Sequence, residues 1–235
     1  MKRLIYHIFP LLLLLVACQD ADETPLAAAG QGYLSLGGVE LQEGERMQVG
    51  QTRAVPDDLN IDIVSAESGE TVVSLAAGAA EIQQKIALTP GGYTLKSYTD
   101  SYREEATWSD SEKGTAVYYA ETAFSIEDDR VTYLDVTVPM LNYGVSFTLP
   151  TGFDTYFTSY SFTVTAGSRS VTLTVSDSDT AYFNAAQTSF SYLFTATNKD
   201  GESFNLSGTY DNALPGMRYA VTYSIATRSL QLLSE

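Results

Sequence analysis

Histidine, cysteine and tryptophan are each present once in this 235-residue chain, as His7, Cys18 and Trp108. Positive charge is scarce as well: 13 Lys and Arg stand against 29 Asp and Glu, a formal net charge of −16. A surface this acidic is repelled by nucleic acid and by anionic lipid head groups, so no nucleic-acid partner is expected. One cysteine leaves no intrachain disulfide, and the folded part must be held by its own cores. The apolar run Ile8–Ala17 falls short of the about 20 residues that span a bilayer. It follows the positive start Met1-Lys2-Arg3 and ends on the small residue Ala17, the pattern of a secretory signal peptide over residues 1–17. His7 leaves with that segment, and the remainder holds 11 cationic side chains against 29 carboxylates. Without histidine, Ser-His-Asp and Cys-His catalysis are excluded, as are the usual zinc and copper ligand sets. Only carboxylate chemistry, such as glycoside hydrolysis or calcium binding, survives. No cofactor is expected.

Leu15-Val16-Ala17-Cys18 resembles the lipobox of bacterial lipoproteins. The resemblance implies cleavage before Cys18, lipidation of its sulfur and acylation of the new amino terminus, which anchors the chain in a membrane. Several acyl chains make such an anchor stable where one would not. The acidic run 19–23 is similar to the export signal of Bacteroidota surface lipoproteins, which implies an outer-membrane protein facing the exterior. Residues 18–31 read as a flexible acidic tether, small and polar with Pro25.

From Tyr33 onward the apolar residues recur with period two, the mark of half-buried strands. Tyr33–Leu36 opens a first strand, with Gly37-Gly38 placed to bulge it. Leu59, Ile61 and Ile63 share one face, Thr71–Leu75 forms a strand, and Ile82, Gln84, Ile86 and Leu88 line another. Pro90-Gly91-Gly92 turns the chain into Tyr93 and Leu95. Residues 100–114 read as a charged loop. Val117–Ile126 and Val131–Val138 read as a hairpin around Glu127-Asp128-Asp129. Past Pro139 the alternation sharpens: Tyr143 to Leu149, then Phe162 to Ala166 turning at Gly167 into Val171 to Val175. Phe190 to Ala196 leads to a hairpin turn ending in Asp200-Gly201, and the last strands are Tyr219–Ile225 and Leu230–Leu233. The turn Leu88–Tyr93 recurs as Leu214–Tyr219, which points to two domains of one architecture. The fold class is therefore all-β, two tandem antiparallel sandwiches of transthyretin-like or Ig-like type with almost no helix, over residues 32–139 and 140–235.

Cys18, Gly32–Leu36, Leu88–Tyr93, Val117–Phe124 and Leu214–Ile225 together resemble an uncharacterised domain family of Bacteroidota surface lipoproteins, itself similar to the fimbrillins. Fimbrillins are two-sandwich lipoproteins that assemble into adhesive fimbriae after an arginine-specific protease removes the first strand. The resemblance implies fimbrial subunits, a host protein or a glycan as partners. It also marks Arg46 and Arg53 as cleavage candidates in the polar segment after the first strand; the bland reading is two ordinary loop cations. A tip, anchor or accessory role is expected rather than a shaft subunit, because little follows Leu233 to donate to a neighbour.

Trp108, with Tyr102, Tyr118 and Tyr119, is the candidate aromatic cluster for stacking on sugar rings, weighed against plain strand packing. A surface glycan-binding accessory protein is the alternative function, and a carboxylate glycosidase a third. Ser176 to Asp179 and Glu127 to Asp129 lack the spaced oxygen ligands of a calcium loop and read as acidic turns, so no metal site is expected. Asp179-Thr180-Ala181 resembles a bacterial O-glycosylation acceptor at Thr180. Asn205-Leu206-Ser207 fits the N-glycosylation pattern.

Overall fold

The structure, a computed structural model, describes residues 30–43, 46–47, 58–174 and 180–234. Its first half carries β1 (Gly32–Glu43), β2 (Arg46–Met47), β3 (Asn60–Ser65), β4 (Thr71–Leu75), β5 (Ile86–Leu88), β6 (Gly91–Tyr98), β7 (Tyr119–Ile126) and β8 (Val131–Pro139). The second half carries β9 (Tyr143–Thr148), β10 (Phe157–Ala166), β11 (Arg169–Thr174), β12 (Thr180–Phe183), β13 (Ser189–Asn198), β14 (Ser203–Asp211), β15 (Arg218–Ser224) and β16 (Ser229–Ser234). Among the described residues the α-helices are α1 (Asp100–Glu104) and α2 (Phe153–Tyr156), each about one turn long.

These strands form an all-β fold of two sandwiches. In the first, the sheet β4-β3-β6-β7 faces a sheet in which β1 lies between β8 on one side and β5 and β2 on the other. In the second, β11-β10-β13-β14 faces β12-β9-β15-β16. The alternation of apolar residues is what buries one face of each sheet. Leu59, Ile61, Ile63 and Leu95 are fully buried in the first core. The second core is largely aromatic, with Tyr143, Phe162, Phe190, Phe194 and Tyr219 fully or almost fully buried. Phe147 stacks on Phe162 at 4.4 Å between ring centroids. Each such large apolar side chain contributes about 1.5–3 kcal/mol on burial, which offsets the absence of a disulfide.

The two sandwiches share one connectivity. Strands β1, β3, β4, β5, β6, β7 and β8 occupy the places of β9 to β15 in order. Each also contains one parallel pair, β1 with β8 and β9 with β15, so neither sandwich is purely antiparallel. Among the described strands of the second half, β16 alone has no described counterpart in the first; it pairs with β15 along its outer edge. The two similar Pro-Gly turns do not mark equivalent places. One leads into β6, whose equivalent is β13, and the other into β15, whose equivalent is β8.

Several local expectations change. The segments β7 and β8 are not a hairpin. Eight positions of β7 pair with β6, while β8 crosses to the other sheet and pairs with β1. Ile82 sits in a 3₁₀ turn, Ala80–Gln83, and the strand after it is only Ile86–Leu88. The bulge at Gly37 is present: the register of β1 against β8 slips between Leu36 and Gly38, and a Cβ on Gly37 would meet the Asp135 carboxylate at 2.4 Å. The hairpins β10–β11 and β13–β14 form at the turns expected at Gly167 and at Asp200-Gly201.

The polar segment after α1 joins the two sandwiches. Its backbone carbonyls at Asp110 and Lys113 accept hydrogen bonds from the amides of Ser170 and Tyr182, both at 2.8 Å. Met140 and Tyr182 pack in the first core, although Tyr182 comes from β12. Asn142, fully buried between the halves, accepts from Val117 N at 3.0 Å and donates to Thr115 O at 2.9 Å.

Candidate functional site

The aromatic residues singled out from the sequence separate into two places. At the surface, helix α1 folds across the outer face of the first sandwich where Tyr98 of β6 pairs with Tyr119 of β7. There the Tyr102 ring stacks on Tyr119, with centroids 4.2 Å apart and planes 14° from parallel. Tyr98 lies beneath, tilted to Tyr102 at 6.3 Å, and the Arg103 guanidinium sits 4.4 Å over its ring. Polar contacts fix the helix to the sheet. Asn60 donates to Asp100 at 2.7 Å, Tyr98 donates to Asp62 at 2.9 Å, and Arg103 pairs with Asp62 at 3.3 Å. Tyr119 donates to Glu121, which also meets Lys96 at 3.4 Å. Partial burial and then the Glu121 carboxylate push the Tyr119 phenol well up, so it stays a neutral donor at physiological pH. Tyr98 is pushed up by burial and by Asp62. The result is an apolar plate, Tyr102 on Tyr119, ringed by hydrogen-bonding groups of both signs. Tyr102 is 41% exposed, and such a plate offers contact to a flat ligand edged by hydroxyls.

Trp108 and Tyr118 do not join this plate. Trp108 is half-buried against the first core, and the Arg169 guanidinium of β11 lies 5.2 Å from its ring and 5.3 Å from that of Phe183. Gly114, at φ +68°, is packed on the indole so closely that a Cβ would come within 2.5 Å of it. Arg169 donates to the carbonyls of Tyr182 at 2.5 Å, Ser109 at 3.4 Å and Glu112. Trp108 is thus part of the clamp between sandwiches. Tyr118 is buried, and its hydroxyl donates to Glu43 at the end of β1. Arg218 of β15 reaches the same carboxylate at 2.7 Å. Burial raises the Glu43 pKa, but the hydrogen bonds from Arg218 and Tyr118 outweigh it, and the carboxyl is held below its ordinary value. Arg103, Arg169 and Arg218, the cations that organise both places, carry no sequence motif.

Of the other sites read from the sequence, Cys18, Arg53 and the run 175–179 lie outside the described residues. Arg46 is in β2, where its backbone pairs with Glu43. Thr180 opens the edge strand β12, half-buried, with its γ-methyl over Gly144. In the turn after β7, Glu127 pairs with Arg130 at 2.8 Å, and Asp129 takes φ +55° while donating its amide to Gln31 O at 2.9 Å. Among the described residues no three His, Cys, Asp or Glu side chains gather to hold a metal ion. A cavity of about 260 Å³ under α2, between Leu149 and Tyr160, is walled mainly by apolar groups and holds one carboxylate, Asp154. No helix of the described residues is long and apolar enough to cross a membrane.

Fold and site together define a tandem β-sandwich protein with a clamped inter-sandwich joint and an exposed tyrosine plate. Residues 30–232 match the family described as a domain of unknown function (DUF4493), and the chain belongs to that family. No curated protein matches it. Among solved structures, the chain is similar to a candidate cell adhesion protein from Bacteroides uniformis, at 15% identity and TM-score 0.48, over 86% of this chain and 96% of that one. A candidate cell adhesion protein from Bacteroides ovatus aligns at 10% identity and TM-score 0.45, covering 89% and 97%. A fimbrial assembly protein from Parabacteroides distasonis aligns at 8% identity and TM-score 0.44, covering 88% and 96%.

Proposed function

We propose that the chain is a lipid-anchored protein of the outer cell surface with a non-catalytic adhesion or fimbria-associated role as tip, anchor or accessory. The observation that carries this reading is the placement of β1. It follows directly on the segment that leads from Cys18, yet it sits in the interior of its sheet, with nine positions paired in parallel to β8 and three to β5. Removal of this one strand would open a groove lined on its core side by the neighbours of Leu34, Val39 and Leu41, ready for a strand supplied by a partner. Arg46 stands three residues beyond the end of β1, where a cut would release it whole. Strand β16 is engaged with β15 at six positions, which supports an accepting rather than a donating role. The test is intact mass and N-terminal analysis of the protein from its own cells. A lipidated Cys18 supports a tethered anchor. A start at Met47 or Ala54 supports strand exchange, and an unlipidated, uncut N-terminus refutes both.

A second reading, a surface glycan-binding accessory protein, is favoured by the exposed stack of Tyr102 on Tyr119. Tyr102→Ala leaves the sandwich core untouched and removes the plate. Glycan binding unchanged by that substitution would exclude the plate as its site. A glycosidase reading draws no support from the cavity under α2, whose single carboxylate is not the pair that hydrolysis needs.

A further inference from the structure

The outer face of the sheet β11-β10-β13-β14 differs from the rest of this acidic chain. Its inward positions are the aromatic core, and its outward positions, two residues apart along each strand, are almost all hydroxyls. Cross-strand pairing sets them in rows: Thr163 opposite Leu193 and Leu193 opposite Ser207, then Thr165 opposite Ser191 and Ser191 opposite Thr209. The grid they make has spacings of about 4.8 Å across strands and about 6.8 Å along them. Two of its hydroxyls are oriented by neighbours on β11, Thr163 with Thr172 at 2.8 Å and Thr165 with Ser170 at 3.0 Å. Among the described outward positions of these four strands, the one charged side chain is Asp211, at the far end of β14. The small side chains leave a shallow trough of about 550 Å³ over β10, β13 and β14, with Leu193 43% exposed within it.

We infer that this trough binds a neutral polysaccharide. The inference rests on the glycan-binding reading and assigns it a face separate from the tyrosine plate. A hydroxyl both donates and accepts, as a sugar hydroxyl does, so a grid of them can meet a run of sugars without a fixed polarity. Leu193 and the threonine methyls give an apolar strip for the C–H face of a pyranose. The trough has the volume of an ordinary ligand site. It holds no cation to pair with a carboxylate or sulfate, and the net charge of −16 repels such groups. Uronic and sulfated glycans are therefore excluded as its ligands, and so are acidic peptides.

The test is native affinity electrophoresis of the full chain in gels containing mixed-linkage β-glucan, α-mannan, starch or polygalacturonate. The expected result is retardation by at least one of the three neutral polymers and none by polygalacturonate. The double variant Ser191→Glu with Ser207→Glu places two carboxylates in the trough at exposed positions, and it loses the retardation at least tenfold in apparent Kd. Tyr102→Ala retains it. Absence of retardation by every neutral polymer overturns the inference, as does a double Glu variant that binds like the wild type. Should Tyr102→Ala abolish binding while the double Glu variant keeps it, the glycan reading stands and the trough is not its site.

Discussion

Arg169→Ala tests whether one side chain couples the two sandwiches. Arg169 begins β11 in the second sandwich and reaches backbone carbonyls on both sides of the joint, Tyr182 at 2.5 Å and, across it, Ser109 at 3.4 Å and Glu112. A hydrogen bond from a charged donor contributes about 1.5–3 kcal/mol, and these are partly solvated, so two good bonds at the low end supply about 3 kcal/mol. The cation lies against Trp108 and Phe183 at 5.2 and 5.3 Å, and two such contacts near the surface add about 1 kcal/mol. Freed carbonyls at the loosened joint regain water, so the net loss is about 2–4 kcal/mol rather than the whole sum. For a chain of this size that lowers Tm by about 5–15 °C. Differential scanning calorimetry distinguishes two ways of losing it. If the clamp makes the sandwiches one cooperative unit, the wild type melts in a single transition and Arg169→Ala melts in two. Arg169→Lys keeps the charge but not the forked geometry and restores less than half of the loss. A single transition within about 2 °C of wild type for Arg169→Ala would refute the reasoning and leave coupling to the backbone bonds Ser170–Asp110 and Tyr182–Lys113.

Three further outcomes are expected. Tyr143 is fully buried and its hydroxyl has no hydrogen-bond partner, so Tyr143→Phe leaves urea stability unchanged or raises it by up to about 1 kcal/mol; a loss above 1 kcal/mol would show that the hydroxyl is satisfied. Glu43 is held below its ordinary carboxylate value, so its contribution is present above about pH 4.5 and disappears as pH falls through its lower folded value. Glu43→Gln accordingly costs about 1 kcal/mol in urea denaturation at pH 7 and nothing in strong acid, and an equal cost at both pH values counts against the ion pair. Gly114→Ala forces a β-carbon onto the Trp108 ring at a left-handed φ of +68°, and it lowers stability by about 2 kcal/mol or more while Trp108 fluorescence shifts toward that of exposed indole.

What the sequence disclosed and what it hid divide along physical lines. Leu59, Ile61 and Ile63, or Phe162, Val164 and Ala166, announce their strands because burial of one face demands a period of two. The turns at Gly167 and Gly201, at φ +58° and +85°, were legible because tight hairpins need backbone angles that glycine adopts freely. Alternation, however, says nothing of which strand lies alongside. The parallel pairing of Tyr33 with Val131 joins residues about a hundred positions apart, and no local signal marks it. The same silence made β7 and β8 look like a hairpin, since adjacency in sequence is only the commoner arrangement. Residues 100–114 read as a charged loop from their composition; the structure puts short helical turns at Asp100–Glu104 and Glu105–Thr107, and main-chain carbonyls of the remainder, at Asp110 and Lys113, hold the second sandwich. Hence Trp108, the most attractive ligand residue on paper, is committed to packing, whereas the plate falls to Tyr102 and Tyr119. The one clue was Gly114, whose missing side chain makes room for the indole.

The shared connectivity of the two sandwiches sharpens the proposed role, because it shows where they differ. In the second, β15 has β9 on one side and β16 on the other, so its edge is covered and the short β16 is the terminal strand of the sheet. In the first, β8 has β1 on one side and no paired strand on the other among the described residues. Exposed strand edges are templates for further pairing, and β8 carries only one charge to discourage it, Asp135, beside a Tyr133 that is 68% exposed. Strand exchange in this protein would therefore be directional. Releasing β16 to a neighbour would uncover β15 and the aromatic core beneath it, where Leu230 and Leu232 pack. Releasing β1 would uncover the first core but also remove Glu43, the carboxylate on which Arg218 and Tyr118 converge. Loss of β1 thus loosens the joint between sandwiches at the moment that it opens the groove. On the strand-exchange reading proposed above, a chain built this way would accept a strand from a neighbour and pass none on, as an end piece of an assembly does and a repeating link does not.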